Sequence, residues 1–237
     1  MKNFSLMILA AGFGKRMKHL TQEVPKPLLK INDKELLSYN IEFFLNLGCN
    51  KIVINTHYLH NEIKIFVEKK FSNKNINLIF EPELLNTGGG IKNALSYFGK
   101  KNFLVANSDI LWNDDNREDV NYFITEYQKI KFCKLLLVEN KKFKGLKKKE
   151  GDFKLENDLI FRWKKNDPHL YFSGLQIINP NIFSQIKQYS FSMNLLWDIL
   201  IKNNQLQGQI ATSVITHIGD IKSYNEIKNI SHLNKII

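Results

Sequence analysis

Gly12-Phe13-Gly14-Lys15-Arg16 follows a short apolar run, Leu6 to Ala11, and Pro25-Lys26-Pro27-Leu28 comes after a polar interval. The glycines free the backbone to turn tightly and to present several N–H groups to one anion. Lys15, Arg16 and Lys26 add cations to the same neighbourhood. Backbone donors close in, with mobile or forked cations further out, are what a triphosphate needs. Two other phosphate-binding arrangements are excluded. A dinucleotide-binding Gly-x-Gly-x-x-Gly requires glycine where this chain has Met17. A P-loop requires Gly-Lys-Ser/Thr after four spacer residues, whereas Gly14-Lys15 comes too soon and is followed by Arg16.

Further clusters carry residue types suited to the same chemistry. Thr87-Gly88-Gly89-Gly90 precedes a helix-like segment. Such a run lets a flat group approach closely beside helix N–H donors, and its cost in backbone entropy calls for something that uses the approach. Asn107-Ser108-Asp109 ends an apolar run, and Asp109 alone directly follows it. Asp114, Asp115 and Asp119 read instead as a loop and a helix start, where acidic side chains cap the helix and meet its dipole. Asn140, Asp152 and Gly174 read by themselves as turn formers.

The elements that must position these residues alternate through the first half. Strands are expected over residues 5–10, 51–55, 76–80, 103–106 and 134–138. Helices are expected over 62–71, 89–98 and 119–130. Asn32-x-x-Glu35 has the pattern of a capping box opening an amphipathic helix with Leu37, Ile41, Phe44 and Leu45 on one side, stopped by Gly48. Alternation of this kind implies right-handed βαβ units on a mostly parallel sheet, with ligands at the carboxyl ends of the strands. In the second half, 151–155 and 159–163 read as a hairpin around Asn157-Asp158. A strand at 171–178, a short helical or turn element at 181–186, a helix at 194–202, a last strand near 211–218 and a final helix at 223–229 follow. One domain over 1–237 is expected, with a substrate-facing region in the second half.

Hydrophobic residues make up 43% and charged residues 24%, which is ordinary for a globular protein. No apolar run approaches the roughly eighteen residues of a membrane helix, and residues 7–11 are too short for a secretory core. A cytoplasmic protein is expected. Cys49 and Cys133 have neither metal spacing nor a disulfide framework. The net charge of +11 comes largely from short patches such as Lys147-Lys148-Lys149. These lack the aromatic interleaving of a base-stacking surface, so no nucleic-acid partner is expected.

Leu9-Ala10-Ala11-Gly12-x-Gly14-x-Arg16-Met17 followed by Pro25-Lys26-Pro27-Leu28 resembles the signature of the sugar-1-phosphate nucleotidyltransferases. The resemblance covers nearly the whole chain and implies a Rossmann-like α/β fold, with a mostly parallel, mixed central sheet flanked by helices, a nucleotide-binding half over about 1–132 and a sugar-binding half over about 133–237. It implies that Leu9, Ala10, Ala11, Gly12, Gly14, Lys15 and Arg16 hold the nucleotide, with Arg16 on the β- and γ-phosphates. Lys26 would sit by the α-phosphate and the attacking phosphate. Thr87, Gly88 and Gly89 would lie against base and ribose, with Glu81 near the base edge. Asp109 would hold Mg²⁺, a hard ion that prefers one or two carboxylates with phosphate oxygens and water. Asn107, Asn140, Asp152 and Gly174 match positions that bind the sugar. The block Thr216-His217-Ile218-Gly219-Asp220 departs from the family pattern. His217 stands where a second metal-binding aspartate is usual. Either His217 binds a substrate phosphate, or Asp220 supplies the carboxylate, or the site works with one. Among subgroups the chain is most similar to short enzymes that join UTP to N-acetylmuramate 1-phosphate in cell-wall sugar recycling. The mannose-1-phosphate guanylyltransferases, which use GTP, come next.

Overall fold

Alternate residues of the first strand face opposite sides of the sheet, and both sides are covered. In this computed structural model, which describes residues 3–146 and 148–228, β1 is Phe4–Leu9. Phe4, Leu6 and Ile8 enter one core and Met7 the other, as the two-residue period of a strand requires. A near-continuous apolar run is the signature of a strand buried on both faces.

The remaining elements, in chain order, are β2 (Lys30–Ile31), β3 (Lys34–Glu35), α1 (Leu36–Asn46), β4 (Cys49–Thr56), α2 (His60–Phe71), β5 (Ile76–Phe80) and α3 (Asn86–Asn93). Then come β6 (Phe103–Asn107), β7 (Ile110–Leu111), α4 (Arg117–Thr125), β8 (Cys133–Glu139), β9 (Phe143–Lys144), β10 (Phe153–Glu156), β11 (Leu159–Arg162) and β12 (Leu170–Ile178). The chain continues through α5 (Met193–Lys202), β13 (Leu206–Ile210), β14 (Ile215–His217) and α6 (Ile221–Lys228). The main sheet has nine strands in the order β10-β11-β13-β8-β12-β6-β1-β4-β5. β1 is parallel to β4 and β6, while β12 is antiparallel to β6 and β8. The sheet is therefore the mixed, mostly parallel one expected. The first core takes residues from α1, α2 and α4, and the other from α3 and α5. A third cluster joins Met17, Leu29, Ile31 and Tyr39 to Leu111, Ile218 and Tyr224. It anchors the segment after the glycine loop to the chain's last described helix.

Several local expectations are corrected. Asn32 and Asp33 both have positive φ, 49° and 60°, and form the two-residue turn of the β2–β3 hairpin rather than a helix cap. Asparagine and aspartate tolerate that conformation, so the hairpin outcompetes a cap, and α1 begins at Leu36. The glycine helix starts early, at Asn86, and ends at Asn93. The α4 helix covers Arg117–Thr125 only. Of the expected strand at 211–218 only Ile215–His217, β14, is extended, and β13 at Leu206–Ile210, outside the expected range, precedes it in a different sheet. The Asn157-Asp158 hairpin is as expected, with φ of 48° and 65° at its turn. Lys147 and Asn229 lie outside the described residues.

Cys49 and Cys133 are buried free thiols. Burial pushes Cys49 up to about 12 and Cys133 also well up, so neither is a thiolate at neutral pH. No helix among the described residues is long and apolar enough to cross a membrane.

Candidate active site

The carboxyl ends of β1 and β6 open onto a cavity of about 410 Å³. Its wall includes Leu9, Ala10, Ala11, Gly12, Gly14, Lys15, Arg16, Lys26, Thr87, Asn107 and Asp109. Gly14 adopts φ of 66°, which a side chain would strain, and its carbonyl accepts from the Met17 N–H at 2.8 Å and the Thr21 hydroxyl at 3.1 Å. Gly12 has no neighbour within 4 Å of where a Cβ would stand, so its backbone is open to the cavity. Lys15 lies over the Phe13 ring at 5.2 Å.

Asn55, at the carboxyl end of β4, is a residue that sequence reasoning missed. Its Oδ1 accepts the Ala10 N–H at 3.0 Å, and its Nδ2 donates to Glu81 Oε1 at 2.7 Å. Glu81 Oε2 in turn accepts the Leu85 N–H at 3.2 Å. Glu81 is fully buried and does not line the cavity, so its expected contact with a base edge is replaced by another task. It ties the glycine loop to the chain entering α3. Asn55 lines the cavity at the end of a strand adjacent to β1, and that position is the signal by which it could have been found.

The glycine run is also used by the protein itself. The N–H groups of Gly88 and Gly89 donate to the Phe191 carbonyl at 2.8 and 3.0 Å. A Cβ on Gly88 would stand 2.3 Å from the Phe191 ring, and one on Gly89 would stand 2.4 Å from the Tyr189 carbonyl. Gly90 would meet the Glu81–Asn55 pair. Thr87 and Asn86 line the cavity, whereas Gly88 and Gly89 sit behind it. The absence of side chains lets the segment before α5 close over α3, which explains the run without a ligand contact. Gly89→Ala is expected to lower stability by about 1–3 kcal/mol, because backbone has to move. A thermal melt unchanged within a degree would contradict this packing.

The cationic and anionic centres meet where two distant segments converge. Lys26, held in a single helical turn between Pro25 and Pro27, places Nζ 2.6 Å from Asp109 Oδ2. His217 Nε2 lies 3.3 Å from the same oxygen. Pairing of His217 with Ile110 between β14 and β7 brings it there. Burial alone would raise the Asp109 carboxyl, but the Lys26 ammonium and the His217 ring outweigh it and hold the carboxyl well below the usual range. An ionised carboxylate only accepts, so Nε2 must donate. Its lone pair is then unavailable to a metal. Asp220 Oδ1 accepts the Ser223 N–H and caps α6.

The geometry makes His217 a hydrogen-bond partner of Asp109, a role outside the three alternatives for the last block. Asp109 Oδ1 is buried without a partner, which suits one position on a hard cation. No group of three or more possible metal ligands occurs among the described residues, so phosphate oxygens and water would have to complete the shell. Asp109 thus fits Mg²⁺ as one ligand.

A second cavity, about 280 Å³, shares Leu9, Thr87 and Asn107 with the first. Asp152 lines it, together with Phe153, Arg162, Phe172, Met193 and Trp197. Asn140 is exposed away from it, with its N–H given to His169. Gly174, at φ of 92°, marks a bulge in β12, where Ile110 and Asn107 pack against it. Expected sugar contacts at Asn140 and Gly174 are therefore not brought to the cavity, whereas Asn107 and Asp152 are.

Residues 5–146 match the nucleotidyl transferase family. N-acetylmuramate alpha-1-phosphate uridylyltransferase of Neisseria meningitidis serogroup B is 33% identical over 222 residues, 91% of this chain and 93% of that protein. The protein of the same name from Caulobacter vibrioides is 28% identical over 90% and 91%. The crystal structure of HddC from Yersinia pseudotuberculosis complexed with GMP-PN superposes with a TM-score of 0.75 at 25% identity, covering 95% of this chain and 98% of that one.

Proposed function

This chain belongs to the nucleotidyl transferase family and is a sugar-1-phosphate nucleotidyltransferase, and we propose that it joins UTP to N-acetylmuramate 1-phosphate, with release of pyrophosphate. The observation that carries the reaction is the Lys26–Asp109 pair in the wall of the first cavity, which adjoins the second through Leu9, Thr87 and Asn107. The names of the Neisseria and Caulobacter relatives, which align along nearly the full chain, support the choice of substrates.

In this reading an oxygen of the sugar phosphate attacks the α-phosphorus, and the bond to the bridging oxygen of pyrophosphate breaks. The attacking phosphate is already an anion, so no general base is required. Catalysis then rests on positioning and on charge. Backbone N–H groups from Ala11 to Gly14, with Lys15 and Arg16 beside them, hold the β- and γ-phosphates. Lys26 moves from Asp109 to the reacting phosphates and neutralises the charge developing there. A divalent cation, when bound at Asp109, supplies further neutralisation of the phosphate oxygens. Asn107 and Asp152 receive the sugar hydroxyls.

A panel of four triphosphates against several sugar 1-phosphates, read by pyrophosphate release, tests the assignment. UTP with N-acetylmuramate 1-phosphate is expected to give the highest kcat/KM. A faster rate with GTP and mannose 1-phosphate would replace it with the second reading, which the likeness to a structure holding GMP-PN favours.

A further inference from the structure

Arg162 stands in the second cavity for a structural reason. The Asn157-Asp158 turn sets the register of β10 and β11 so that Arg162 lies directly across from Phe153. Cross-strand partners share a face, and both residues line the cavity. The guanidinium carbon lies over the Phe153 ring, 4.9 Å from its centroid. From α5, Asp198 Oδ1 accepts from Nε at 2.7 Å and Asn194 Oδ1 accepts from Nη2 at 2.9 Å. One edge of the fork is thereby occupied, and Nη1 has no protein partner among the described residues. The Arg162 and Asp198 side chains are 37% and 58% exposed, so their ion pair is solvated and holds the guanidinium only weakly.

Several acceptors in the rest of the cavity already take a hydrogen bond from the protein. Asp152 Oδ1 is paired with Lys148, and its Oδ2 accepts the Phe172 N–H at 3.2 Å. Gln176 Oε1 accepts from the Trp197 indole at 3.2 Å. Phe153, Phe172, Met193 and Trp197 make an apolar floor. A neutral sugar ring presents mostly hydroxyl donors and acceptors in equal measure, whereas an arginine only donates. A planar cation over an aromatic floor matches a planar anion.

We propose that Arg162 is the residue that selects sugar 1-phosphates bearing a carboxylate substituent, the carboxylate docking on the open end of its guanidinium. This rests on the reading of the second cavity as the sugar site. A lactyl ether and a uronate both carry the required group, and the substrates of the test separate them.

The experiment uses the full chain and the triphosphate that supports the fastest release. The sugars are N-acetylmuramate 1-phosphate, glucuronate 1-phosphate and the neutral N-acetylglucosamine 1-phosphate. Wild type favours a carboxylate-bearing sugar. Arg162→Gln lowers its kcat/KM about 30-fold more than that of the neutral sugar, mainly through KM, as for loss of a charge-assisted hydrogen bond. Arg162→Lys, which keeps the charge and loses the fork, falls between. Thermal melts and triphosphate affinity of both variants report whether the fold persists, and Arg162→Lys carries the test if Arg162→Gln fails to fold. Equal losses for acidic and neutral sugars, or a wild type that prefers the neutral sugar, overturn the proposal. Preference for glucuronate 1-phosphate with the same dependence on Arg162 keeps it while removing the N-acetylmuramate reading. Preference for N-acetylmuramate 1-phosphate with no dependence on Arg162 does the reverse.

Discussion

Lys26→Ala is expected to lower kcat for pyrophosphate release by about 10²–10³-fold, the scale seen when one fixed donor to developing charge is removed. The Lys26 side chain is 12% exposed and its ammonium sits 2.6 Å from Asp109, so its charge acts where little water screens it. Its effect belongs in kcat, because the charge it meets is largest as the pyrophosphate leaves. Asp109→Asn is expected to cost a comparable factor and to weaken the dependence of rate on Mg²⁺ concentration. If the two side chains act as a unit, the double variant Lys26→Ala with Asp109→Asn falls well short of the product of the single losses. Steady-state kinetics with a melt of each variant decides the matter. A Lys26→Ala enzyme within tenfold of wild type in kcat would remove the mechanism.

Asp119→Ala is expected to lower stability by about 2–3 kcal/mol at neutral pH, from loss of charge-assisted hydrogen bonds at a buried carboxylate. Asp119, in the first turn of α4, accepts the Thr212 and Ser213 N–H groups at 2.9 and 2.7 Å, and both hydroxyls as well. That clasp fixes the turn leading into β14, and hence His217. Burial would raise the Asp119 carboxyl, but the Ser213 hydroxyl and the neighbouring N–H groups outweigh it and hold it below the usual range. A carboxyl lowered by folding contributes stability above its unfolded value near 4 and loses it as the pH falls further. The gap in melting temperature between wild type and Asp119→Ala is therefore expected to be widest at pH 7 and to narrow below about pH 4. A gap that stays constant down to pH 3 would show that the carboxylate is not what holds the turn.

Local backbone chemistry was readable wherever the deciding partners lie close in sequence. The Asn157-Asp158 turn, the strand leading to Asp109 and the turn between Gly12 and Arg16 follow from residue type and spacing alone. Asn32 shows where that reading fails. Asparagine favours both a helix cap and a left-handed turn, and only the pairing of Lys30 with Glu35 selects the turn. The glycine run fails for another reason. A ligand and a neighbouring loop both demand missing side chains, and the loop at 189–191 lies about a hundred residues further along the chain.

The sequence by itself determined a phosphate loop at the end of a buried strand, its cations, and an aspartate at the end of a second strand. Each of these is a short-range pattern. Tertiary structure alone decided the partners. Parallel pairing of β1 with β6 sets the loop beside Asp109, and the third core brings Lys26 to it across 83 residues. A small separate sheet delivers His217 as a hydrogen-bond donor in place of the expected carboxylate. Glu81 lies behind the wall instead of in it, because Asn55 and Leu85 consume its oxygens. Contacts between distant segments depend on sheet order and packing, and no local spacing in the chain encodes them.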